Sequence, residues 1–365
     1  MIVGSTKEDL TLERRVSVTP DSAKNIIGLG LKIILENGYA KHLGIEDVEY
    51  KNVGVEIKSS AKEVTDNCDM LVRVNYPSNN ELNNLKEKSI LLGVFKPSQN
   101  QEKFKDVLKK NINVFSLELL PRITRAQSMD VLSSQSNLAG YRAVIDSIYE
   151  FEKALPMMMT AAGTVPAAKV LVIGAGVAGL QAIATAKRLG AIVSATDVRP
   201  ASKEQVESLG GKFLSVEQSE NLETSGGYAK EASEEFKKKQ TELMKDALKK
   251  NDIVICTALI PGKTAPRILN EELVKIMKPG SIIYDLAVEQ GGNSAFSEIG
   301  KINIVNGIKV IGVKNLMNKL PLTASNLYAK NLFSFIRNLY SKEKKIFNIN
   351  LEDEIISKTL IKDSK

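Results

Sequence analysis

Residue types that often carry chemistry are scarce in this chain. Its 365 residues include no tryptophan, one histidine and two cysteines. Cys68 and Cys256 lie far apart in apolar surroundings, without C-x-x-C or metal-ligand spacing, so we expect reduced thiols in a reducing compartment and no bound metal. The single histidine, His42, lies in a context typical of a surface loop. A histidine-dependent triad or a poly-histidine metal site is therefore not expected.

The charged residues favour a solvated surface over a nucleic-acid interface. Lysine and arginine together number 50 against 43 acidic residues, a formal net charge of +7. Acidic residues are interspersed with the lysines, and the sequence has no arginine-rich tract. Nucleic-acid binders usually concentrate basic residues on one face. We therefore expect no nucleic-acid partner, while an anionic ligand or membrane surface stays open.

One apolar stretch resembles a membrane span in length only. Residues 157–186 carry a single charge, Lys169, and are numerous enough to cross a bilayer. Pro166 and four glycines interrupt the stretch, which favours a loop, a buried strand and a packed helix instead. The charged residues Lys7, Glu8 and Asp9 follow Met1 closely, so no signal peptide is predicted.

Strand and helix patterns alternate along the chain and predict an α/β fold. This alternation indicates two Rossmann-like domains, each a mostly parallel sheet with helices on both faces. Predicted strands of the first series cover residues 1–5, 31–36, 69–74, 89–95 and 112–117. Those of the second series cover residues 169–173, 192–196, 213–216, 252–257, 281–285 and 308–313.

Long helices are predicted to join the two domains around a cleft. One is expected over residues 129–155 and another over residues 325–340. We expect residues 1–125 plus 322–365 to form an N-terminal, flavodoxin-like α/β domain, to which the charged tail returns. Residues 126–321 would then form a nucleotide-binding Rossmann domain, because six strands complete its sheet.

The second domain opens with a dinucleotide-binding fingerprint. The sequence G-A-G-V-A-G at residues 174–179 follows a β-branched strand and begins an alanine-rich helix. Gly174 would allow the tight turn, Gly176 the approach of a pyrophosphate, and Gly179 close helix–strand packing. The amino terminus of the helix would attract the phosphates. Packing alone is the alternative reason for the glycines.

Asp197 ends the next predicted strand and favours NAD(H) over NADP(H). A carboxylate there accepts hydrogen bonds from the adenosine ribose and repels a 2′-phosphate. Arg199 complicates the assignment, because a nearby arginine can hold that phosphate.

Two further segments are rich in polar side chains. Residues 122–135 include Arg122, Gln127, Asp130 and Ser133, which are suited to orienting a nicotinamide or to capping a helix, and the pattern does not choose between these roles. Residues 217–240 are charged and contain Gly226, Gly227 and Tyr228, a pattern of either a mobile lid or a plain surface loop. No convincing general acid is found among the predicted strand ends of the first domain.

Six segments together resemble the NAD(H)-binding component, domain I or alpha subunit, of proton-translocating NAD(P) transhydrogenase. They are residues 13–20 (ERRVSVTP), 122–135, 156–164 (PMMMTAAGT), 226–231 (GGYAKE), 258–263 (ALIPGK) and 285–289 (DLAVE). The resemblance covers nearly the whole chain. It implies an oxidoreductase and translocase component that passes hydride from NADH directly to NADP⁺ on a partner component, while a membrane component couples the transfer to proton movement. No general acid is needed for that reaction.

The same resemblance assigns roles to individual residues. Gln127 would lie between the two nicotinamides, with Arg122, Asp130 and Ser133 at the NAD ring and ribose. Tyr228 would lie on a mobile loop, Gly227 and Gln240 near the nucleotide, and Leu259 in the adenosine pocket. The expected NAD(H) contacts are Arg122, Gln127, Asp130, Val131, Leu132, Ser133, Gly174, Ala175, Gly176, Val177, Gly179, Asp197, Val198, Arg199, Gly227, Gln240 and Leu259.

The resemblance also implies an assembly and a location. We expect a homodimer that works as a separate subunit with the NADP(H)-binding and membrane-spanning components. It would be cytoplasmic and peripheral on the cytosolic face of the energy-coupling inner membrane, and active only with its partners.

Two other functions remain alternatives. The sequence is more distantly similar to alanine dehydrogenase, whose substrate-binding arginine matches Arg15. Its lysine and histidine positions fall at Asn75 and near Phe95, which argues against amino-acid oxidation. A non-catalytic NAD-binding module is the second alternative, although it leaves the polar set in residues 122–133 without a purpose.

Overall fold

The chain folds into two compact units. The structure is a computed structural model and describes residues 1–97, 100–216, 234–260 and 262–362. The first unit comprises Met1–Gln135 and Met317–Lys365, and the second comprises Ser136–Leu316. The sequence placed the corresponding boundaries at 125/126 and 321/322.

A six-stranded parallel sheet forms the centre of the first unit. The strands are β1 (Ile2–Ser5), β2 (Lys32–Glu36), β3 (Glu56–Lys58), β4 (Met70–Val72), β5 (Ile90–Gly93) and β6 (Asn113–Ser116), and the helices are α1 (Pro20–Gly28), α2 (Asp47–Asn52), α3 (Ala61–Asn67), α4 (Asn79–Asn84) and α5 (Gln101–Lys109). Short 3₁₀ helices cover Lys41–Leu43, Leu117–Leu119 and Thr124–Met129.

The strand order β3-β2-β1-β4-β5-β6 corrects one expectation. It is the Rossmann order, not the flavodoxin-like order predicted for this domain. The sequence missed β3 because this edge strand is only three residues long, with Glu56 and Lys58 at its ends. All five strands that the sequence predicted for this domain are present. Thr19 caps α1 and Pro20 is its first residue.

Helix α6 (Val131–Glu150) follows and contains the boundary between the units. The second unit then begins with the hairpin β7 (Met158–Thr160) and β8 (Gly163–Val165). Its remaining strands are β9 (Lys169–Ile173), β10 (Ile192–Thr196), β11 (Lys212–Phe213), β12 (Ile253–Cys256), β13 (Ile282–Asp285), β14 (Lys301–Val305) and β15 (Ile308–Gly312), and its helices are α7 (Val177–Arg188), α8 (Ser202–Ser208), α9 (Glu234–Lys250) and α10 (Glu271–Lys275), with a 3₁₀ turn at Val288–Gln290.

The sheet of the second unit is seven-stranded, in the order β11-β10-β9-β12-β13-β15-β14. All neighbours are parallel except β14 and β15. The six predicted strands are present, and β14 is an additional antiparallel edge strand. Residues Asn306 and Gly307 join β14 to β15 with positive φ at both positions, the backbone of a type I′ hairpin turn.

Both sheets are covered on both faces, which confirms the predicted layers. Alternate residues of each strand belong to different cores: Ile33 and Leu35 pack with α1, whereas Ile34 packs with α3, α4 and α5. In the second sheet one face packs on α6, α7 and α8, and the other on α9 and α10. This alternation follows from the two-residue period of a strand.

The apolar stretch at residues 157–186 forms the β7–β8 hairpin, strand β9 and most of helix α7. The hairpin replaces the loop predicted at its start. Across the residues that the structure describes, no helix combines the length and apolar character needed to span a bilayer.

The chain ends in the first unit. A 3₁₀ turn at Leu316–Lys319 leads into α11 (Pro321–Leu339), followed by the short strands β16 (Tyr340–Ser341) and β17 (Ile346–Phe347) and by α12 (Glu354–Thr359). Helix α11 buries Leu332, Phe335 and Ile336 in the same core as α1. The Ile361 amide donates to the Val114 carbonyl at 2.8 Å, which fixes the tail beside β6.

Candidate nucleotide-binding site

The fingerprint forms a tight turn between β9 and α7. Gly174 has a φ of +95°, a left-handed conformation that a side chain disfavours. Gly176 is the N-cap of α7, and no side chain caps it. Within the described part of the chain, a Cβ at Gly176 would meet no heavy atom within 4 Å. The turn therefore leaves an open approach to the amino terminus of a twelve-residue helix, the environment that suits a phosphate.

Gly179 lets the helix lie directly against the turn. A Cβ at Gly179 would lie 1.9 Å from the Gly174 carbonyl oxygen. Thr257, which follows β12, braces the same turn because its hydroxyl donates to the Gly174 carbonyl at 2.8 Å. Sequence reasoning missed Thr257, which lies 83 residues from the glycine it contacts.

Asp197 lies beside the turn, at the end of β10. Its Oδ2 accepts from the Ala175 amide at 2.6 Å, so the carboxylate is tied to the turn itself. Arg199 donates to the same carboxylate from its backbone amide and from Nε, both to Oδ1 at 2.9 Å, and from Nη2 to Oδ2 at 2.9 Å. The structure thus joins Ala175, Asp197 and Arg199, which the sequence had connected only by motif spacing.

A buried asparagine fixes the loop that carries Leu259. The Asn293 Oδ1 accepts from the Ala258 amide at 3.0 Å, and its Nδ2 donates to the Ala258 carbonyl at 2.8 Å and the Pro266 carbonyl at 2.9 Å. Leu259 is half-buried in that loop. Asn293 was also missed, because its partners come from another loop.

The polar segment at residues 122–135 is anchored in the first unit. The side chains of Ala126 and Met129, in the 3₁₀ helix Thr124–Met129, are buried in its core. Gln127 and Arg122 are exposed. The segment is therefore held by its apolar residues while it presents polar side chains outward.

Asp130 caps helix α6. Its Oδ1 accepts from the Ser133 amide at 2.9 Å and its Oδ2 from the Ser133 hydroxyl at 2.5 Å. The capping role considered from the sequence is thus real, and these bonds also fix the Asp130 and Ser133 side chains. Val131 is buried, whereas Leu132 is exposed next to them.

Two of the predicted site residues, Gly227 and Tyr228, lie outside the described residues. Gln240 falls within helix α9. Val177, at the start of α7, is exposed and Val198 is half-buried.

The two cysteines take no part in this site. Burial, together with the charge of Asp285, raises the pKa of the Cys256 thiol well above its ordinary value. Burial raises the pKa of the Cys68 thiol to about 12. Neither thiol is ionised at neutral pH, so neither is suited to act as a nucleophile.

Family models match both halves of the chain. The model described as "Alanine dehydrogenase/PNT, N-terminal domain" matches residues 4–139, and the model described as "Alanine dehydrogenase/PNT, C-terminal domain" matches residues 143–364. The chain belongs to the alanine dehydrogenase/PNT family.

Individual members of the alanine dehydrogenase/PNT family are similar to this chain over most or all of its length. The chain is 42% identical over 367 residues to NAD(P) transhydrogenase subunit alpha of Haemophilus influenzae, covering 100% of this chain and 71% of that protein. It matches the structure of a transhydrogenase from Sinorhizobium meliloti with a TM-score of 0.90 and 45% identity, covering 99% and 98% of the two chains. Alanine dehydrogenase of Methanococcus maripaludis is 29% identical over 296 residues, covering 80% and 74%. The resemblance inferred from the sequence is confirmed.

Two of the positions carried over from alanine dehydrogenase, Arg15 and Phe95, have structural contacts in this chain. Arg15 donates from Nε to Glu13 Oε1 at 2.9 Å, from Nη2 to Glu13 Oε2 at 2.7 Å and from Nη1 to Gln135 at 2.9 Å, so its guanidinium is engaged inside the protein. Phe95 is fully buried and packs edge-on against Tyr76. A buried phenyl ring cannot transfer a proton, so the position near the expected histidine is structural.

A buried ion pair occupies the end of β4 in this family member. Arg73 donates from Nε and Nη2 to the two carboxylate oxygens of Glu8 at 3.0 and 3.1 Å. Burial raises the pKa of the Glu8 carboxyl above its usual range, and the charge of Arg73 offsets only part of that rise. The Glu81 carboxylate also accepts from Arg73 Nη1, so the guanidinium is held between two carboxylates in a structural network.

Gly140 of α6 is a further close contact that sequence reasoning missed. A Cβ there would lie 2.0 Å from the Ala178 carbonyl oxygen, at the start of α7. Asn137, one turn earlier, donates to Gln181 at 3.1 Å. Helix α6 is therefore packed directly against the first turns of helix α7.

We expect Gly140→Ala to lower the thermal midpoint by about 5 °C, since overpacking of this kind costs about 1–3 kcal/mol. Scanning calorimetry of the pure protein measures the shift. Gly28→Ala is the matched control, because a Cβ at this helical glycine would meet nothing within 4 Å among the described residues. An equal response of the two variants would contradict the packing argument.

Proposed function

We propose that this chain is the NAD(H)-binding component of a proton-translocating NAD(P)⁺ transhydrogenase. The observation that carries the proposal is the turn at residues 174–179 joined through Ala175 to the Asp197 carboxylate. Such a turn suits a pyrophosphate, and such a carboxylate suits an unphosphorylated adenosine ribose. The similarity to transhydrogenase alpha subunits supports the same function.

The described residues of the proposed site offer groups that suit the parts of NADH. The amino terminus of α7, where Gly176 leaves space for a close approach, would bind the two phosphates. Asp197 would accept from the ribose hydroxyls and exclude a 2′-phosphate. The loop fixed by Asn293 would bring Leu259 against the adenine, and Val177, Val198 and Arg199 would line the same half of the ligand. The Ala175 side chain is buried in the core of the second unit, so Ala175 would act only through its backbone contact with Asp197.

The nicotinamide half would be oriented by the segment at residues 122–135. Bound NADH supplies a hydride from C4 of its ring, which adds to C4 of NADP⁺ held by the partner component. Gln127 would hold the two rings in register, and Arg122, Asp130 and Ser133 would fix the carboxamide and ribose. Alignment would be the main contribution of the protein, because hydride transfer between two nicotinamides needs no general acid.

We further propose an assembly from the relatives' names. The chain is similar to proteins named as alpha subunits, which supports an assembly in which it works together with other subunits. The partners would be a second copy of the chain, an NADP(H)-binding component and a membrane component that moves protons. The chain would then lie on the cytosolic face of the energy-coupling membrane.

Reconstitution tests the proposed function. The chain is mixed with a purified NADP(H)-binding component, NADPH and an oxidised NAD analogue, and reduction of the analogue is followed by absorbance. We expect transfer in the complete mixture and none when either protein is omitted. NADH-dependent reduction of pyruvate with ammonia by this chain alone would favour an alanine dehydrogenase. NADH binding without transfer in the complete mixture would favour a non-catalytic NAD-binding module.

A further inference from the structure

The Asp197 carboxylate is saturated in this structure. A carboxylate offers roughly four acceptor positions, two on each oxygen. Oδ1 accepts from the Arg199 amide and Nε, and Oδ2 accepts from the Ala175 amide and Arg199 Nη2. A ribose that binds at this carboxylate must therefore replace donors that are already present.

We propose that the Arg199 guanidinium occupies the positions of the adenosine ribose hydroxyls and must leave Asp197 when NADH binds. The inference rests on the proposed function and adds a competitor to its binding site. Arg199 would then lower the affinity for NADH, although it lies beside the nucleotide.

The two kinds of donor on Asp197 differ in their freedom to move. The Ala175 and Arg199 amides belong to the backbone of the turn and of the β10 end, so they stay in place. The guanidinium is at the end of a flexible side chain, and the Arg199 side chain is 21% exposed against 7% for Asp197. Displacement of the side chain is thus the available route.

The hydrogen-bond count after displacement matches a ribose. Once Nε leaves Oδ1 and Nη2 leaves Oδ2, each oxygen keeps one backbone donor and gains one open acceptor position. A ribose presents two adjacent hydroxyls, each of which donates once. The two hydroxyls can therefore replace the two guanidinium donors without leaving an acceptor unsatisfied.

Calorimetric titration of Arg199→Met with NADH tests the proposal. We expect the dissociation constant to fall about three- to tenfold relative to the unmodified chain, because charge-assisted bonds no longer have to be broken. Arg199→Lys retains the charge without the bidentate geometry. Its dissociation constant for NADH should therefore lie between those of the unmodified chain and of Arg199→Met. Arg188→Met, at the exposed end of α7, is the matched control and should leave the affinity unchanged.

A double-mutant cycle and a ligand pair separate competition from a general structural effect. In an Asp197→Asn background, Arg199→Met should no longer tighten NADH. The tightening should also be smaller for 2′-deoxy-AMP than for AMP, which carries both hydroxyls. Weaker or unchanged NADH binding by Arg199→Met would overturn the proposal. If the unmodified chain did not bind NADH at all, the proposed function itself would fail, which is a distinguishable result.

Discussion

Replacement of Gln127 by asparagine is expected to slow hydride transfer about a hundredfold while changing NADH affinity less than about threefold. The asparagine side chain is one methylene shorter, which withdraws the amide by about 1.5 Å. The backbone is not free to follow, because the flanking side chains of Ala126 and Met129 are buried in the core. A misplacement of this size between reacting groups typically costs about two orders of magnitude in rate.

The measurement for Gln127→Asn is stopped-flow transfer from NADPH to an oxidised NAD analogue with saturating NADP(H) component. Equilibrium titration with NADH is performed on the same samples. Gln205→Asn, at an exposed position of α8, is the matched control and should transfer hydride at the normal rate. Undiminished turnover would show that Gln127 does not hold the two nicotinamide rings. A large loss of NADH affinity would show that Gln127 contributes mainly to binding.

The fold was predictable wherever the hydrophobic pattern was continuous. Buried strands such as β9 and β12 are short uninterrupted apolar runs, which is the pattern of a parallel sheet covered on both faces. The edge strands were missed. Strand β3 is too short to show a pattern, and β14 alternates polar with exposed apolar residues. The Asn306-Gly307 turn after β14 was nevertheless a usable hairpin signal.

The candidate site was predictable only where its residues are close in sequence. The glycine turn and Asp197 follow one another along a single β–α–β unit, so their spacing carried the information. Thr257, Asn293 and Gly140 act through contacts with distant backbone, and nothing in their own sequence neighbourhoods indicates those partners. Three-dimensional packing supplies that part of the site.

Arg199 shows a second limit of sequence reasoning. From spacing it was a possible ligand for a 2′-phosphate. In the structure its guanidinium binds the Asp197 carboxylate. Whether an arginine near such a carboxylate assists or opposes a nucleotide depends on which acceptor it occupies, and a one-dimensional pattern does not contain that geometry.

Gly179→Ala is expected to lower both stability and NADH affinity, whereas Gly176→Ala is expected to lower NADH affinity with little change in stability. A methyl group at Gly179 would lie 1.9 Å from the Gly174 carbonyl oxygen, and neither backbone segment can yield cheaply. We expect about 3 kcal/mol of destabilisation, a thermal midpoint lower by roughly 5–10 °C and NADH affinity reduced about a hundredfold.

Gly176→Ala separates an effect on ligand binding from an effect on the packing of the turn. Among the described residues a Cβ at Gly176 meets nothing within 4 Å, and its φ of −75° suits alanine. Stability should change by less than about 1 kcal/mol, the usual range for an N-cap change. NADH should nevertheless bind at least about tenfold more weakly, because the methyl group points into space that the pyrophosphate needs. Normal NADH binding by a stable Gly176→Ala protein would show that the phosphates lie elsewhere.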